Sequence, residues 1–210
     1  NDQIISISRS EIELLSESSS EKIKHIVNEG DTIIFCAAEA PVKNLKMFTN
    51  NISMLNNILQ HLVNVKIKSF VYLSSDAVYT DSMNSIDEEY ETNPDNLHGL
   101  MHLTREKIIT NVYPNQYLIV RPTLIYGYGD PHCGYGPNQF VDTSIKKNKI
   151  ELFGKGEELR DHIWIEDLTV ILKELIINNK NGIFNLVSGQ LLNFSEIAEF
   201  VINLASEYNI

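Results

Sequence analysis

The fold of this chain is decided by the stretch Ser69-Phe70-Val71-Tyr72-Leu73-Ser74-Ser75-Asp76. Its apolar run is typical of a strand buried on both faces, and small polar residues follow directly. An acidic loop leads to a helical segment from Pro94 to Lys107, which carries His98 and His102 four residues apart. This order of strand, polar strand end and helix predicts one unit of a parallel α/β sheet.

The same alternation extends in both directions. We predict strands at 4–7, 31–38, 69–73, 116–120 and 150–153, and helices at 18–27, 48–65, 98–110 and 138–147, after Asp167, and at 194–206. We expect the strand at 31–38 to be buried on both faces, so that Cys36 fills core volume. Strands of this kind separated by helices indicate a doubly wound parallel sheet. In such sheets, ligands bind beyond the carboxyl ends of the strands.

Composition excludes several classes of protein. A formal charge of −11 argues against a general nucleic-acid surface, because phosphate binding requires clustered lysine and arginine. No apolar run approaches the ~20 residues of a membrane span, and no export signal is visible, so we expect a cytoplasmic protein without a membrane partner. Two cysteines, Cys36 and Cys133, do not form a disulfide framework.

Six segments, taken in order, resemble the extended short-chain dehydrogenase/reductase family of nucleotide-sugar epimerases, dehydratases and reductases. They are the strand 31–38 ending in Ala37-Ala38, Asn51 with its helix, Ser74 to Tyr79, Arg121 to Gly127, Gly154-Lys155-Gly156 with Arg160-Asp161 and Asp167, and Asn185 to Gly189. The resemblance implies a Rossmann-like doubly wound parallel sheet with a small C-terminal substrate-binding lobe. It assigns residues 1–125 to the dinucleotide-binding domain, and 126–210 mostly to the lobe, with segments that return to the main domain. It also implies a homodimer.

The glycine-rich loop of that family, which holds the cofactor pyrophosphate, does not occur in this sequence. We therefore expect residues 1–125 to lack the first strand and helix of the domain, and the chain to be a piece of a longer protein. The alternative is a protein that has lost half of its dinucleotide site.

The resemblance also implies the catalytic groups. A tyrosine acid/base and a lysine four residues later lie on one helix face in the family, and these positions hold His98 and His102 here. Ser75 keeps the role of the serine that hydrogen-bonds the substrate oxygen. Since imidazole exchanges protons near neutral pH, His98 is the candidate acid/base. The alternatives are a decayed site on a retained scaffold, and a metal site on the two histidines; we expect no metal.

The remaining candidate residues lie at the other strand ends. The substrate is expected to be a nucleotide-activated sugar, and its candidate ligands are Asp76, Leu124 and Arg160. Leu124 stands in place of the family's asparagine. Arg160 is a candidate diphosphate ligand, and the alternative is a surface ion pair with Asp161 or Glu158. For the cofactor, the candidate residues are Ser8, Arg9, Ala37, Ala38, Ser74 and Pro122. An arginine flanked by hydroxyls suits a 2′-phosphate, which favours NADP, while NAD stays open.

Overall fold

The computed structural model describes residues 4–80, 85–130 and 133–207. Its helices and strands are α1 (Glu17–Ser20), β1 (Thr32–Phe35), α2 (Leu45–Leu62), β2 (Ser69–Leu73), α3 (Leu97–Val112), β3 (Tyr117–Pro122), β4 (Leu124–Tyr126), α4 (Pro137–Lys147), β5 (Leu159–Trp164), α5 (Ile165–Ile177), β6 (Gly182–Leu186), β7 (Leu191–Asn193) and α6 (Phe194–Glu207), with short 3-10 segments at Glu21–His25 and Asp76–Val78. The chain divides into two compact units.

The first unit contains the residues up to Arg121 together with Asn179–Asn185. Its sheet has the strand order β1-β2-β3-β6, and β2 pairs in parallel with both β1 and β3. The crossovers through α2 and α3 supply the helices that parallel strands require. The predicted Rossmann-like α/β fold is therefore confirmed.

The core of this unit lies where α2 packs on the sheet. Leu55 and Leu62 of α2 are fully buried, as is Phe70 of β2, which agrees with the helical spacing of apolar residues along this segment. The two long helices begin at asparagine caps: Asn44 accepts a hydrogen bond from the amide of Met47 at 3.0 Å, and α3 has the same arrangement at Asn96.

The second unit contains Pro122–Asn178 and the residues from Leu186 onward. Its three strands have the order β4-β5-β7, with β4 parallel and β7 antiparallel to β5. A separate apolar cluster contains Phe140 of α4 and Phe194 and Ile197 of α6. No helix in the described ranges is long and apolar enough to cross a membrane.

Two predicted strands are wrong. Residues 4–7 form no strand, and Ile4 is 91% exposed, because an apolar alternation forms a strand only where a partner covers it. Residues 150–153 form no strand either. Ile150 and Leu152 pack against the Phe140 cluster, so their alternation reflects burial against helices.

Three further expectations need correction. The predicted helix 18–27 is a short α-helix followed by a 3-10 segment. The strand predicted at 31–38 is limited to β1, and it is not buried on both faces, since Ile34 is 49% exposed. Cys36 lies just after β1 and is exposed, so it does not fill core volume. An apolar sequence alone does not show that β1 is an edge strand of the described sheet.

Candidate functional site

The carboxyl end of β2 forms the centre of the candidate site. Ser75 follows this strand and caps the 3-10 segment Asp76–Val78, where its Oγ accepts a hydrogen bond from the amide of Ala77 at 3.1 Å. The same hydroxyl donates to Oδ1 of Asp76 at 3.2 Å. Ser75 and Asp76 are both half-buried, so their polar groups lie at the surface of the unit and not in its core.

The first turn of α3 packs directly against this 3-10 segment. A Cβ added at Gly99 would collide with the carbonyl oxygen of Ala77 and would lie 2.7 Å from Cβ of Pro94. Only glycine allows this approach. As a result, His98, the residue before Gly99, is held in the turn of helix that contacts the Ser75 end of β2.

The two predicted histidines lie next to each other in this unit. Their rings meet edge to face, with centroids 4.7 Å apart. His98 is half-buried, and its Nδ1 lies 3.5 Å from the amide nitrogen of Val42. Burial lowers the pKa of His98 below its usual value, so its imidazole is neutral at neutral pH and is able to accept a proton.

His102 has a different environment, because it points into the sheet. It is 5% exposed, and its Nδ1 lies 2.8 Å from the hydroxyl oxygen of Tyr72. Burial, followed by the neighbouring His98 and Arg105, lowers the pKa of His102 to about 3. A neutral imidazole therefore stands where the resembled family has a lysine cation.

The burial of Tyr72 agrees with the strand predicted at 69–73, but its contact with His102 was not predicted. The spacing of residues along the strand and along the helix could have indicated this contact. Tyr72 and Ser74 are two residues apart on one strand face, a distance of about 6.6 Å, while His102 and Glu106 are four residues apart on one helix face, about 6 Å. These matched spacings allow both pairs to meet, and Ser74 Oγ donates to Glu106 Oε1 at 2.5 Å.

A buried positive charge lies behind the site and was not predicted from the sequence. Arg105 of α3 is fully buried, and it donates from Nη1 to the carbonyl of Ala37 at 2.9 Å and from Nε to the carbonyl of Asn51 at 3.0 Å. The guanidinium thereby joins the end of β1 to α2. Such a group resembles an ordinary surface arginine in sequence, because its acceptors are backbone carbonyls distant along the chain.

The predicted cofactor residues have varied surroundings. Ser8 and Arg9 do not follow a strand as expected, because residues 4–7 form none. Both are exposed, and Arg9 forms an ion pair with Glu13 at 2.7 Å. Ala38 is exposed, whereas the carbonyl of Ala37 is occupied by Arg105. The remaining two, Ser74 and Pro122, are buried at the ends of β2 and β3.

Two predicted substrate residues belong to the second unit. Leu124 in β4 is 38% exposed. Arg160 in β5 donates from Nε to Oε1 of Glu158 at 2.6 Å, which is one of the ion pairs considered as the alternative to a diphosphate. The role of Arg160 as a diphosphate ligand stays a prediction.

Asp161, next to Arg160, has a structural role in the second unit. Its carboxylate accepts hydrogen bonds from the amides of Ser188 at 2.8 Å, Gly189 at 2.7 Å and Gln190 at 3.1 Å. Two of the segments recognised in the sequence therefore meet in space. Nowhere in 4–80, 85–130 or 133–207 do three potential metal ligands from histidine, cysteine, aspartate and glutamate cluster.

Comparison with known proteins gives matches over most of the chain. The family model described as "NAD dependent epimerase/dehydratase family" matches residues 3–186.

Solved structures of sugar-nucleotide enzymes are similar in fold. A dTDP-glucose 4,6-dehydratase from Bacillus anthracis, in complex with NAD, matches with a TM-score of 0.79 and 18% identity over 91% of this chain and 63% of that one. A UDP-glucose 4-epimerase from Thermotoga maritima, with UDP-glucose, matches with a TM-score of 0.80 and 18% identity over 92% of this chain and 66% of that one. A dTDP-4-dehydrorhamnose reductase ortholog from Clostridium acetobutylicum matches with a TM-score of 0.82 and 19% identity over 97% of this chain and 72% of that one. The chain thus spans about two thirds of the length of these proteins.

Proposed function

Since this chain belongs to the NAD dependent epimerase/dehydratase family, we propose that the protein is an NAD(P)-dependent enzyme acting on a nucleotide-activated sugar. The observation that carries this proposal is the packing of Gly99 against Ala77, which fixes the His98 turn of α3 against the Ser75 end of β2. Three similar structures are named as enzymes of dTDP- or UDP-sugars, which supports the choice of substrate class.

His98 has the properties that a proton-transfer group requires. Its lowered pKa leaves the imidazole neutral at neutral pH. Its Nδ1 accepts only a long contact, 3.5 Å, from the amide of Val42, so Nδ1 exchanges this amide for the proton of a sugar hydroxyl when that carbon is oxidised. The resulting imidazolium returns the proton when a keto sugar is reduced. Ser75 turns its hydroxyl from Asp76 towards the sugar oxygen and polarises it; the present bond to Asp76, at 3.2 Å, is long enough to be exchanged.

One strand end offers an exposed position for a dinucleotide cofactor. Ala38 is small and exposed after β1, which leaves room for a cofactor to approach the backbone. When bound, the nicotinamide supplies the hydride acceptor or donor for the sugar carbon. Arg9 and Ser8 would face the adenosine ribose, where Arg9 exchanges its exposed partner Glu13 for a 2′-phosphate if the cofactor is NADP.

The test uses the full-length protein with NAD or NADP and a panel of UDP-, dTDP-, ADP- and GDP-sugars. Reduced nicotinamide is followed by absorbance, and sugar products are separated by chromatography. His98→Gln should lower turnover by roughly 10²–10⁴-fold, as expected for loss of an acid/base. His25→Gln is the matched control, because His25 is an exposed histidine of the same unit, and it should turn over like the unsubstituted protein.

A second candidate function is supported by His102. Position 102 offers no positive charge, and the family's tyrosine is replaced as well, so the protein would bind a nucleotide or a protein partner without catalysing a reaction. Binding of a nucleotide sugar by calorimetry, with no product after long incubation, would favour this candidate. The variant His98→Tyr/His102→Lys should then gain activity if the rest of the scaffold is intact.

We also propose that the protein is a homodimer through α2 and α3. Leu100 on α3 is 42% exposed and Leu45 at the start of α2 is 70% exposed, which leaves apolar surface on both helices. Light scattering after size-exclusion chromatography measures the mass. Leu100→Lys should shift a dimer towards the monomer, and a monomeric unsubstituted protein would contradict the proposal.

A further inference from the structure

The contact between Tyr72 and His102 is buried within the first unit. Tyr72 is 1% exposed and His102 is 5% exposed, and the tyrosine hydroxyl lies 2.8 Å from Nδ1 of the imidazole. The two rings have centroids 5.9 Å apart. At this distance and burial, one of the two groups donates a hydrogen bond to the other.

The direction of this hydrogen bond follows from the acceptors that are present. Among the described residues, Nδ1 of His102 is the sole acceptor within reach of the Tyr72 hydroxyl. Burial raises the pKa of Tyr72 above its usual value, so the hydroxyl keeps its proton. A buried hydroxyl proton left without an acceptor costs free energy, and here an acceptor lies at hydrogen-bond distance. Tyr72 is therefore the donor, and Nδ1 carries no proton.

The charges around His102 oppose a second proton on its ring. The guanidinium of Arg105 lies 5.9 Å from the centroid of the Tyr72 ring, the ring whose hydroxyl contacts His102. The carboxylate of Glu106 is one helical turn away, but it is already paired with Arg121. An imidazole that accepts at Nδ1 and stays neutral carries its proton at Nε2.

We infer that Tyr72 is a positioning residue, which holds His102 as a neutral imidazole protonated at Nε2. Position 102 then offers a ligand one N–H donor of fixed direction and no positive charge. Within the described ranges, Nε2 of His102 forms no hydrogen bond and does not belong to the fully buried polar atoms that lack a partner, so this donor is available. Its use towards a hydroxyl of the cofactor ribose rests on the proposed function; the tautomer itself does not.

The tautomer is measured directly by nuclear magnetic resonance. The intact protein is labelled with 15N-histidine, without ligand, and long-range 1H–15N correlations are recorded between pH 5 and 8. His102→Gln identifies the signals by their loss. We expect an unprotonated Nδ1 and a protonated Nε2 throughout this range. A proton on Nδ1, or a doubly protonated ring at pH 6, would overturn the inference.

Substitution of the donor tests its role, and the chain offers a matched control. Tyr113 is also buried in the core of this unit, and its hydroxyl has no hydrogen-bond partner in the described part of the chain. Tyr72→Phe and Tyr113→Phe therefore remove the same atom from the same core.

In Tyr72→Phe, we expect His102 to populate both tautomers and to bind a proton roughly tenfold more tightly, because the hydrogen bond that favours the neutral form is lost. Tyr113→Phe should leave the His102 signals as in the unsubstituted protein. Unchanged signals in Tyr72→Phe would contradict the positioning role. If Tyr72→Phe does not fold, the tautomer of the unsubstituted protein still decides the inference.

These outcomes are separable from those of the proposed function, because the resonance experiment uses neither cofactor nor sugar. A protein that turns over no nucleotide sugar but shows the Nε2 tautomer contradicts the proposed function alone. A protein that is active but carries its proton on Nδ1 contradicts the role of Tyr72 alone.

Discussion

Glu106 and Arg121 form a two-point ion pair inside the first unit. Nε of Arg121 donates to Oε1 of Glu106 at 3.0 Å, and Nη2 donates to Oε2 at 2.7 Å, with both side chains almost fully buried. Nη1 donates to the hydroxyl of Tyr79 at 2.6 Å, which donates to Oδ1 of Asn185 at 2.9 Å. Together with Ser74, this network joins the ends of β2, β3 and β6 to α3. It lies in the interior of the unit, next to the candidate site, and fixes the end of β2.

Glu106→Gln should destabilise the protein strongly. The substitution keeps the shape of the side chain but leaves the guanidinium of Arg121 buried without its carboxylate. Removal of one partner of a buried pair typically costs about 3–5 kcal/mol. Urea denaturation followed by circular dichroism measures this free energy of unfolding.

The matched control is Asp142→Asn, which removes one partner of the exposed pair between Asp142 and Lys146. Exposed pairs contribute little to stability, so we expect no measurable change in the urea midpoint. Equal losses in the two variants would show that the buried pair has no special role.

Gly99→Ala should disturb the Ser75 end of β2. The added methyl group meets a backbone carbonyl, that of Ala77, which is unable to move aside as the end of a flexible side chain would. Overpacking of this kind costs roughly 1–3 kcal/mol, which outweighs the gain in helix propensity of about 1 kcal/mol. Thermal unfolding detects the net loss, and turnover should fall with it.

Gly134→Ala is the control for this variant. A Cβ at Gly134 would meet nothing within 4 Å, and its φ is not in the left-handed region. The melting temperature should therefore stay unchanged. A loss of stability at Gly134 but not at Gly99 would refute the close approach of α3 to the 3-10 segment.

Arg105→Lys should be destabilising although the charge is kept. The guanidinium spreads its donors over the carbonyl oxygens of Ala37 and Asn51, and a lysine ammonium does not reproduce this planar arrangement. We expect a loss of about 2–3 kcal/mol, since hydrogen bonds from charged groups are worth roughly 1.5–3 kcal/mol each. Arg9→Lys, at an exposed arginine, should not change the urea midpoint.

Acid should destabilise the protein through His102. Its pKa falls from 6.5 to about 3 in the folded state, so the unfolded chain binds the proton more tightly, and stability decreases as the pH drops from 6.5 towards 3. By pH 5, this histidine should have cost about 2 kcal/mol.

His102→Gln should remove this part of the pH dependence. Urea midpoints measured between pH 5 and 7.5 give the slope for both proteins. An identical slope in the two would show that His102 is protonated as readily in the folded state as in the unfolded chain.

The sequence predicted the fold well where the pattern is local. The run from Phe70 to Leu73 forms β2 as predicted, and the strand predicted at 116–120 lies within β3. The predicted strands at 4–7 and 150–153 failed for a shared reason. A short apolar alternation is compatible with any buried partner, and only the fold decides whether that partner is another strand.

The candidate site was predicted unevenly. Spacing along one helix was enough to place His98 and His102 on neighbouring turns, where their rings touch. The sequence did not reveal that Nδ1 of His102 is hydrogen-bonded to Tyr72, since the two residues are thirty positions apart. Nor did it reveal that the hydroxyl of Ser74 is used by Glu106. Contacts of this kind depend on the register between α3 and β2.

By itself, then, the sequence determined the α/β architecture and the presence of two histidines where the family has tyrosine and lysine, because both are properties of neighbouring residues. Only the tertiary structure decided the chemical state of those histidines. Half-burial leaves His98 neutral at the end of β2, whereas Tyr72 and Arg105 surround His102. Desolvation and hydrogen bonding depend on atoms distant along the chain, and these meet only after the strands and helices have packed.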